Sequence, residues 1–149
     1  MDTIQPEPLR DELAVEEANE RFYQALENAD LELMEAVWLH AESVTCVHPG
    51  WELLTGWDNV CESWRRIFEG TQGMRVRASD ISVHIEDDFA WVTCHENLAL
   101  FLDRSTAPAS AVTVATNLFR RFDDEWLMVH HHASQTPTET LISESDKIQ

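Results

Sequence analysis

From Leu9 onward apolar residues recur at spacings of three and four: Ala14, Ala18, Phe22, Ala25, Leu26 and Ala29, with acids on the opposite face. That spacing predicts an amphipathic helix. The step Asn28-Ala29-Asp30 breaks the run, and Asp30 stands where it can cap a second helix carrying Leu31, Met34, Val37 and Trp38 on its apolar side. The period then changes. Ser43 to His48 is compact and β-branched and ends at Pro49-Gly50, which predicts a short strand entering a turn. A third helix is predicted from Trp57, with Val60, Cys61, Trp64, Ile67 and Phe68 on one face and Gly70 and Gly73 as its stop. Beyond it Ile81, Val83 and Ile85 alternate with polar residues, and Asp87-Asp88 forms a turn. Phe89 to Leu102, Ala111 to Phe122 and Trp126 to Ser134 then predict three further strands, separated by a loop over Asp103 to Ser110 and a turn at Asp123-Asp124-Glu125. Helices first and a strand meander afterwards predict an α+β domain rather than alternating βαβ units.

The length of 149 residues fits one domain with a core of its own. Its expected limits are residues 9–134, with a flexible N-terminus over 1–8 and an acidic flexible tail over 135–149. Charge narrows the partners: 28 Asp+Glu against 10 Lys+Arg give a formal −18. Such a surface repels phosphate backbones and anionic lipids, so neither nucleic acid nor membrane is an expected partner. No apolar run reaches the roughly 20 residues of a membrane helix, and the acidic N-terminus does not read as a secretion signal; the expected location is cytoplasmic. Cys46, Cys61 and Cys94 form no C-x-x-C pair and are expected as free thiols.

Two features carry candidate chemistry. In the run His130-His131-His132 strand alternation puts His130 and His132 on one side, in phase with Trp126 and Met128, and His131 on the other, in phase with Leu127, Val129 and Ala133. A metal centre would need further ligands from His48, His95, Cys46 or Glu96, and no spacing fixes them. No metal and no cofactor is expected. Six tryptophans, with Trp38 and Trp64 on the apolar faces of their helices and Trp51 after the turn, suit an aromatic-lined cavity for a flat or apolar ligand as well as an ordinary core.

Several strings together resemble the nuclear transport factor 2-like superfamily, in its SnoaL-like and ketosteroid-isomerase-like branch. They are Arg21-Phe22-Tyr23-Gln24-Ala25-Leu26 with Asn28-Ala29-Asp30-Leu31, then Val47-His48-Pro49-Gly50-Trp51, Leu54-Thr55-Gly56-Trp57, Thr116-Asn117-Leu118-Phe119-Arg120-Arg121, and Trp126 through Ser134. The resemblance covers roughly Leu9 to Ser134. It implies a cone, the cystatin-like α+β barrel, in which three N-terminal helices pack on a strongly curved antiparallel sheet around a pocket, in a homodimer. It does not imply one reaction, because the fold hosts many.

Ketosteroid isomerases use a tyrosine, a proton-moving carboxylate and a second acid held neutral. At the matching positions this chain has Phe22 (with Tyr23 beside it, about 100° further around the helix), His48 and Asn117. None of the three identities is kept, so steroid isomerisation by that route is not expected. Histidine suits proton transfer near neutral pH and an asparagine amide can donate to an oxyanion, so His48 is the expected base and Asn117 the expected donor. Phe22, Tyr23, Trp38, Trp51, Trp64, Phe119, His130 and His132 are the expected ligand contacts. The expected function is a homodimeric domain binding a small apolar or aromatic molecule, with isomerase, cyclase or dehydratase chemistry. The alternative is a non-catalytic oligomerisation or sensing module, like the kinase-association domains of the superfamily.

Overall fold

The structure, a computed structural model, describes residues 7–101 and 107–137. Most of the expected N-terminal lead-in and of the acidic tail lies outside the described residues. The elements run α1 (Glu7–Glu27), α2 (Leu31–Val37), β1 (Thr45–Val47), β2 (Leu54–Thr55), α3 (Trp57–Gly70), β3 (Met74–Glu86), β4 (Phe89–Leu100), β5 (Ala109–Phe122) and β6 (Glu125–Gln135). Helix α1 therefore starts at Glu7, two residues into the expected lead-in, and buries Val15, Ala18, Phe22, Ala25 and Leu26. It ends where Ala29 turns left-handed (φ 49°) and the Asp30 amide donates to Ala25 O at 2.9 Å. Asp30 then caps α2: its Oδ1 accepts from the Leu33 amide at 3.0 Å. Asp30→Ala is expected to cost about 1 kcal/mol, read as a lower urea midpoint at unchanged slope.

The sheet has six strands in the order β2-β1-β6-β5-β4-β3. Four long strands form the expected antiparallel meander. The sheet as a whole is mixed, because β1 lies parallel to β6, with Cys46 opposite His131. The chain reaches β1 directly from α2, whose end is tied across by Leu39 N donating to Met128 O at 3.0 Å, so β1 enters beside β6 in the same direction. The short strand β2 was not anticipated, and β3 begins seven residues before Ile81. A bulge between Ser79 and Ser82, with Asp80 at φ 52°, separates the two halves of β3.

The inner face of the sheet meets α1 and α3. Along β4 the buried positions are Ala90, Val92, Cys94 and Glu96, and along β5 they are Thr113, Ala115, Asn117 and Phe119. On β6 the pattern breaks phase: Trp126 and Met128 are buried, and so are His131 and Ala133. The cause is a bulge. Leu118 pairs with His130 and Phe119 with Met128, leaving Val129 as the extra residue. One inserted residue reverses the parity, so Trp126 and Met128 share a face with His131 and not with His130 and His132.

On the opposite, outer face, no Asp or Glu stands at any outward position of β4 from Trp91 to Ala99, of β5 from Ser110 to Leu118 or of β6 from Leu127 to Ser134. In a chain of net charge −18 this is a conspicuous gap. Val112 and Val114 are each 41% exposed on it.

Candidate functional site: a buried polar chain inside the cone

The interior is apolar around most of its wall and polar along one seam. Glu96 is only 3% exposed; its Oε1 accepts from Thr113 Oγ1 at 2.6 Å and its Oε2 from the Tyr23 hydroxyl at 2.7 Å. With its one proton committed to Glu96, Tyr23 accepts from Asn117 Nδ2 at 3.1 Å, and the Cys94 thiol stands 3.2 Å away. The second Asn117 Nδ2 proton goes to Asn19 Oδ1 at 2.8 Å. Asn117 Oδ1 lies 2.6 Å from His131 Nδ1, so His131 donates there and keeps its lone pair on Nε2. The chain thus runs Thr113, Glu96, Tyr23, Asn117, His131, with Asn19 as a branch.

A second polar group adjoins it. His48, 3% exposed, stands 2.8 Å through Nε2 from Ser63 Oγ, which donates its own proton to Val60 O at 2.6 Å. His48 Nε2 is therefore the protonated nitrogen, and Cys46 Sγ lies beside the ring, 3.7 Å from Nε2 and 3.9 Å from Nδ1. The ring lies edge-on to Trp64 (centroids 4.5 Å) and Trp51 (4.8 Å) and 6.4 Å from the ring of His131. Phe22 packs 4.8 Å from His131 and 5.6 Å from Trp64. The Trp38 and Trp64 indole nitrogens are buried without a hydrogen-bond partner among the described residues.

Burial sets the protonation states. It pushes the Tyr23 phenol far up, helped by the charge of Glu96, so Tyr23 stays a neutral donor. It raises the Glu96 carboxyl against the opposing hydrogen bonds from Thr113 and Tyr23. It lowers His48 to about 3, with His131 as the second cause, and lowers His131 likewise to about 3. Both imidazoles are neutral at pH 7. Burial also pushes the Cys46 thiol up, so neither a thiolate nor a Cys46–His48 ion pair forms.

Of the sequence candidates, Phe22, Tyr23, Trp64, His48 and Asn117 converge on this interior, and Phe119 and Trp38 lie fully inside the adjoining core. Both Phe22 and Tyr23 face inward, despite the angle between them. Trp51 covers His48 from outside and is 40% exposed. His130 and His132, expected among the ligand contacts, stand on the outer face, because the Val129 bulge turns His131 inward instead. Sequence reasoning did not pick out Glu96 as a buried carboxylate, nor Thr113, Asn19 or Ser63. The signal for Glu96 was present: it is in phase with Ala90, Val92 and Cys94. Among the described residues no group of three or more His, Cys, Asp or Glu side chains stands close enough to hold a metal ion. No described helix is long and apolar enough to cross a membrane.

One cleft reaches the seam. It has a volume of 650 Å³ and lies between α1 and β3, with Tyr23 and Asn19 in its wall beside Glu16, Glu20, Glu27 and Arg77. A second, of 1010 Å³, lies where β3, β4 and β5 run past Glu96 and Thr113, and is lined largely by outward residues such as Arg77, His95, Asn97 and Val112.

Residues 15–139 match the SnoaL-like domain family. The F-box protein SKIP8 of Arabidopsis thaliana is 31% identical over 121 residues, covering 81% of this chain and 49% of that protein, so the chain spans about half the length of this relative. A solved structure from Streptomyces avermitilis, an NTF2-like protein to which dehydratase activity is ascribed, is 35% identical with a TM-score of 0.81, covering 88% of this chain and 99% of that one. Another from Thiobacillus denitrificans, ascribed to the calcium/calmodulin-dependent protein kinase type II association domains, is 32% identical with a TM-score of 0.70, covering 91% of this chain and 100% of that one. With the family match spanning nearly all of the described cone, and with its helices and curved sheet in the order that fold requires, the chain belongs to the SnoaL-like domain family of the nuclear transport factor 2-like superfamily.

Proposed function

We infer that this domain binds a small, uncharged, apolar or aromatic molecule carrying a carbonyl or hydroxyl group and moves a proton on it, as an isomerase, cyclase or dehydratase does. The observation that carries this reading is the Tyr23–Glu96 pair, 2.7 Å apart, buried in an apolar cone and reaching the 650 Å³ cleft through Tyr23. Tyr23 holds the oxygen of the ligand as a neutral donor by turning its one proton from Glu96 to that oxygen. Glu96 is the better proton carrier, because a raised carboxyl sits nearer neutral pH, whereas a His48 lowered to about 3 is a weak acceptor at pH 7. His48 therefore serves as a wall and hydrogen-bonding group. Asn117, with both amide protons already given to Asn19 and Tyr23, is a positioning residue. Phe22, Trp38, Trp64 and Phe119 form the apolar wall and Trp51 its outer cover. The carboxylates around the cleft select against anions. The dehydratase activity ascribed to the Streptomyces relative belongs to the same reaction class.

The test uses 2-tetralone, an enolisable aromatic ketone. Its α-proton exchange in deuterated buffer, followed by proton NMR, is expected to run at least about 10-fold above the buffer rate. Glu96→Gln is expected to abolish the excess, and Tyr23→Phe to weaken binding about 10-fold by calorimetry. The absence of both saturable binding and excess exchange would defeat the reading.

A second reading, oligomerisation without catalysis, is favoured by one observation: Phe22, Trp64, His48 and His131 pack against one another directly and fill much of the interior. In either case the outer face over β5 and β6, which carries no carboxylate and lies away from the Asp80–His95 contact on β3 and β4, is the surface on which two copies of a strongly acidic chain can meet with least repulsion, and the assembly inferred is a homodimer. Binding of 2-tetralone without proton exchange would leave a sensing domain of this kind.

A further inference from the structure

The Val129 bulge that turns His131 inward leaves His130 and His132 side by side on the outer face, and the function proposed above uses neither. Their ring centroids are 6.1 Å apart. Two imidazoles sharing a tetrahedral metal through nitrogens at about 2.0–2.1 Å have centroids about 5 Å apart, so a small rotation of one ring closes the pair. His132 is exposed and free to make it. His130 is already oriented: its Nδ1 lies 2.6 Å from Thr45 Oγ1 on β1, which leaves Nε2 as the outward ligand. A hydrogen bond on the rear nitrogen is the usual way a protein fixes a metal-binding imidazole.

Two imidazoles fill half of a tetrahedral shell, and one chain supplies no third ligand among its described residues. The pair lies on β6, within the carboxylate-free part of the outer face over β5 and β6 where a second copy is inferred to dock. A two-fold axis passing beside His132 would bring the same two imidazoles from the other copy. We propose that His130 and His132 of two copies of this chain together bind one zinc-like divalent ion at the centre of the dimer. The four-nitrogen set selects Zn²⁺, Co²⁺, Ni²⁺ or Cu²⁺ over Mg²⁺ or Ca²⁺, which take oxygen ligands. This proposal rests on the pairing of outer sheet faces inferred above.

The test uses the full untagged chain, stripped of metal with EDTA and titrated with ZnCl₂ under native mass spectrometry, with light scattering to read its mass in EDTA and in zinc. The expected result is one Zn²⁺ per two chains at about 100 µM or below, with His132→Ala weakening binding at least 10-fold while the thermal melting of the metal-free protein is unchanged. Co²⁺ is expected to give the intense visible bands of a tetrahedral site, and these are expected to vanish in His132→Ala. No zinc bound at that concentration, or one Zn²⁺ per chain indifferent to His132→Ala, overturns the proposal. A dimer in EDTA that takes no zinc overturns the metal site and leaves the sheet pairing standing, whereas a monomer in both conditions overturns both.

Discussion

Asn117→Ala is expected to lower the unfolding free energy by about 4 kcal/mol, a large part of the 5–15 kcal/mol that a domain of this size holds. The residue is fully buried and every polar atom of its side chain is used: Nδ2 donates to Asn19 Oδ1 and to the Tyr23 hydroxyl, and Oδ1 accepts from His131 Nδ1. Removing it strands three partners in a low-dielectric interior, and an unpaired buried group costs about 1–3 kcal/mol. The alanine also leaves a void that the sheet on one side and α1 on the other have little freedom to close. Urea unfolding at pH 7.5 measures the loss. A double-mutant cycle with Asn19→Ala is expected to show at least about 1 kcal/mol of coupling, because each single change orphans the other residue. A loss under about 1 kcal/mol would mean that water replaces the amide and that the seam is open to solvent.

The same residue shows what the sequence could and could not reveal. The helices were legible because one face of each is apolar at a period that only a helix satisfies: Ala18, Phe22 and Ala25 on α1, and Val60, Trp64 and Ile67 on α3. The antiparallel order was legible from turns such as Asp87-Asp88 and Asp123-Asp124, where aspartate tolerates the left-handed backbone seen at φ 55° and 56°. Asn117 and His48 were reached by position in a familiar order of strings; Asn117 lies in the seam and His48 beside it. The pairing of Glu96 with Tyr23 was not reached, although Glu96 follows Val92 and Cys94 in strict alternation. An acid in phase with apolar residues is ambiguous until its partners are known, and those partners come from α1 and β5, 73 and 17 positions away in sequence. The side of the last strand was misread for a different reason. Alternation is reliable only while no residue is inserted, and the Val129 bulge depends on pairing with β5, which the pattern Leu127-Met128-Val129 does not disclose.

Acid is expected to unfold this protein well before its carboxylates are fully protonated. His48 and His131 are buried as neutral rings, their proton affinity brought from the ordinary 6.5 to about 3 by burial first and by neighbouring imidazoles second. Where the folded value lies below the unfolded one, the unfolded chain binds more protons; stability is complete above about pH 6.5 and is lost as the pH falls toward 3. At pH 5 each ring contributes a loss of about 2 kcal/mol. Glu96 acts with the opposite sign: its carboxyl is raised in the fold, so protonation favours the folded state as the pH falls through the folded value. The expected net change between pH 7.5 and pH 5 is therefore a loss smaller than the about 4 kcal/mol that the two rings give together, measured by urea unfolding at several pH values across that range. His131→Gln separates the contributions. It keeps a donor beside Asn117 Oδ1 but cannot titrate, so the variant is expected to start less stable at pH 7.5 and to lose about 2 kcal/mol less than the wild type by pH 5. A wild-type curve flat from pH 7.5 to 5 would mean that both rings exchange protons with solvent in the folded state. Such an opening would run past Trp51 and Trp64, the two indoles packed edge-on against His48, and would expose the seam to a ligand by the same path.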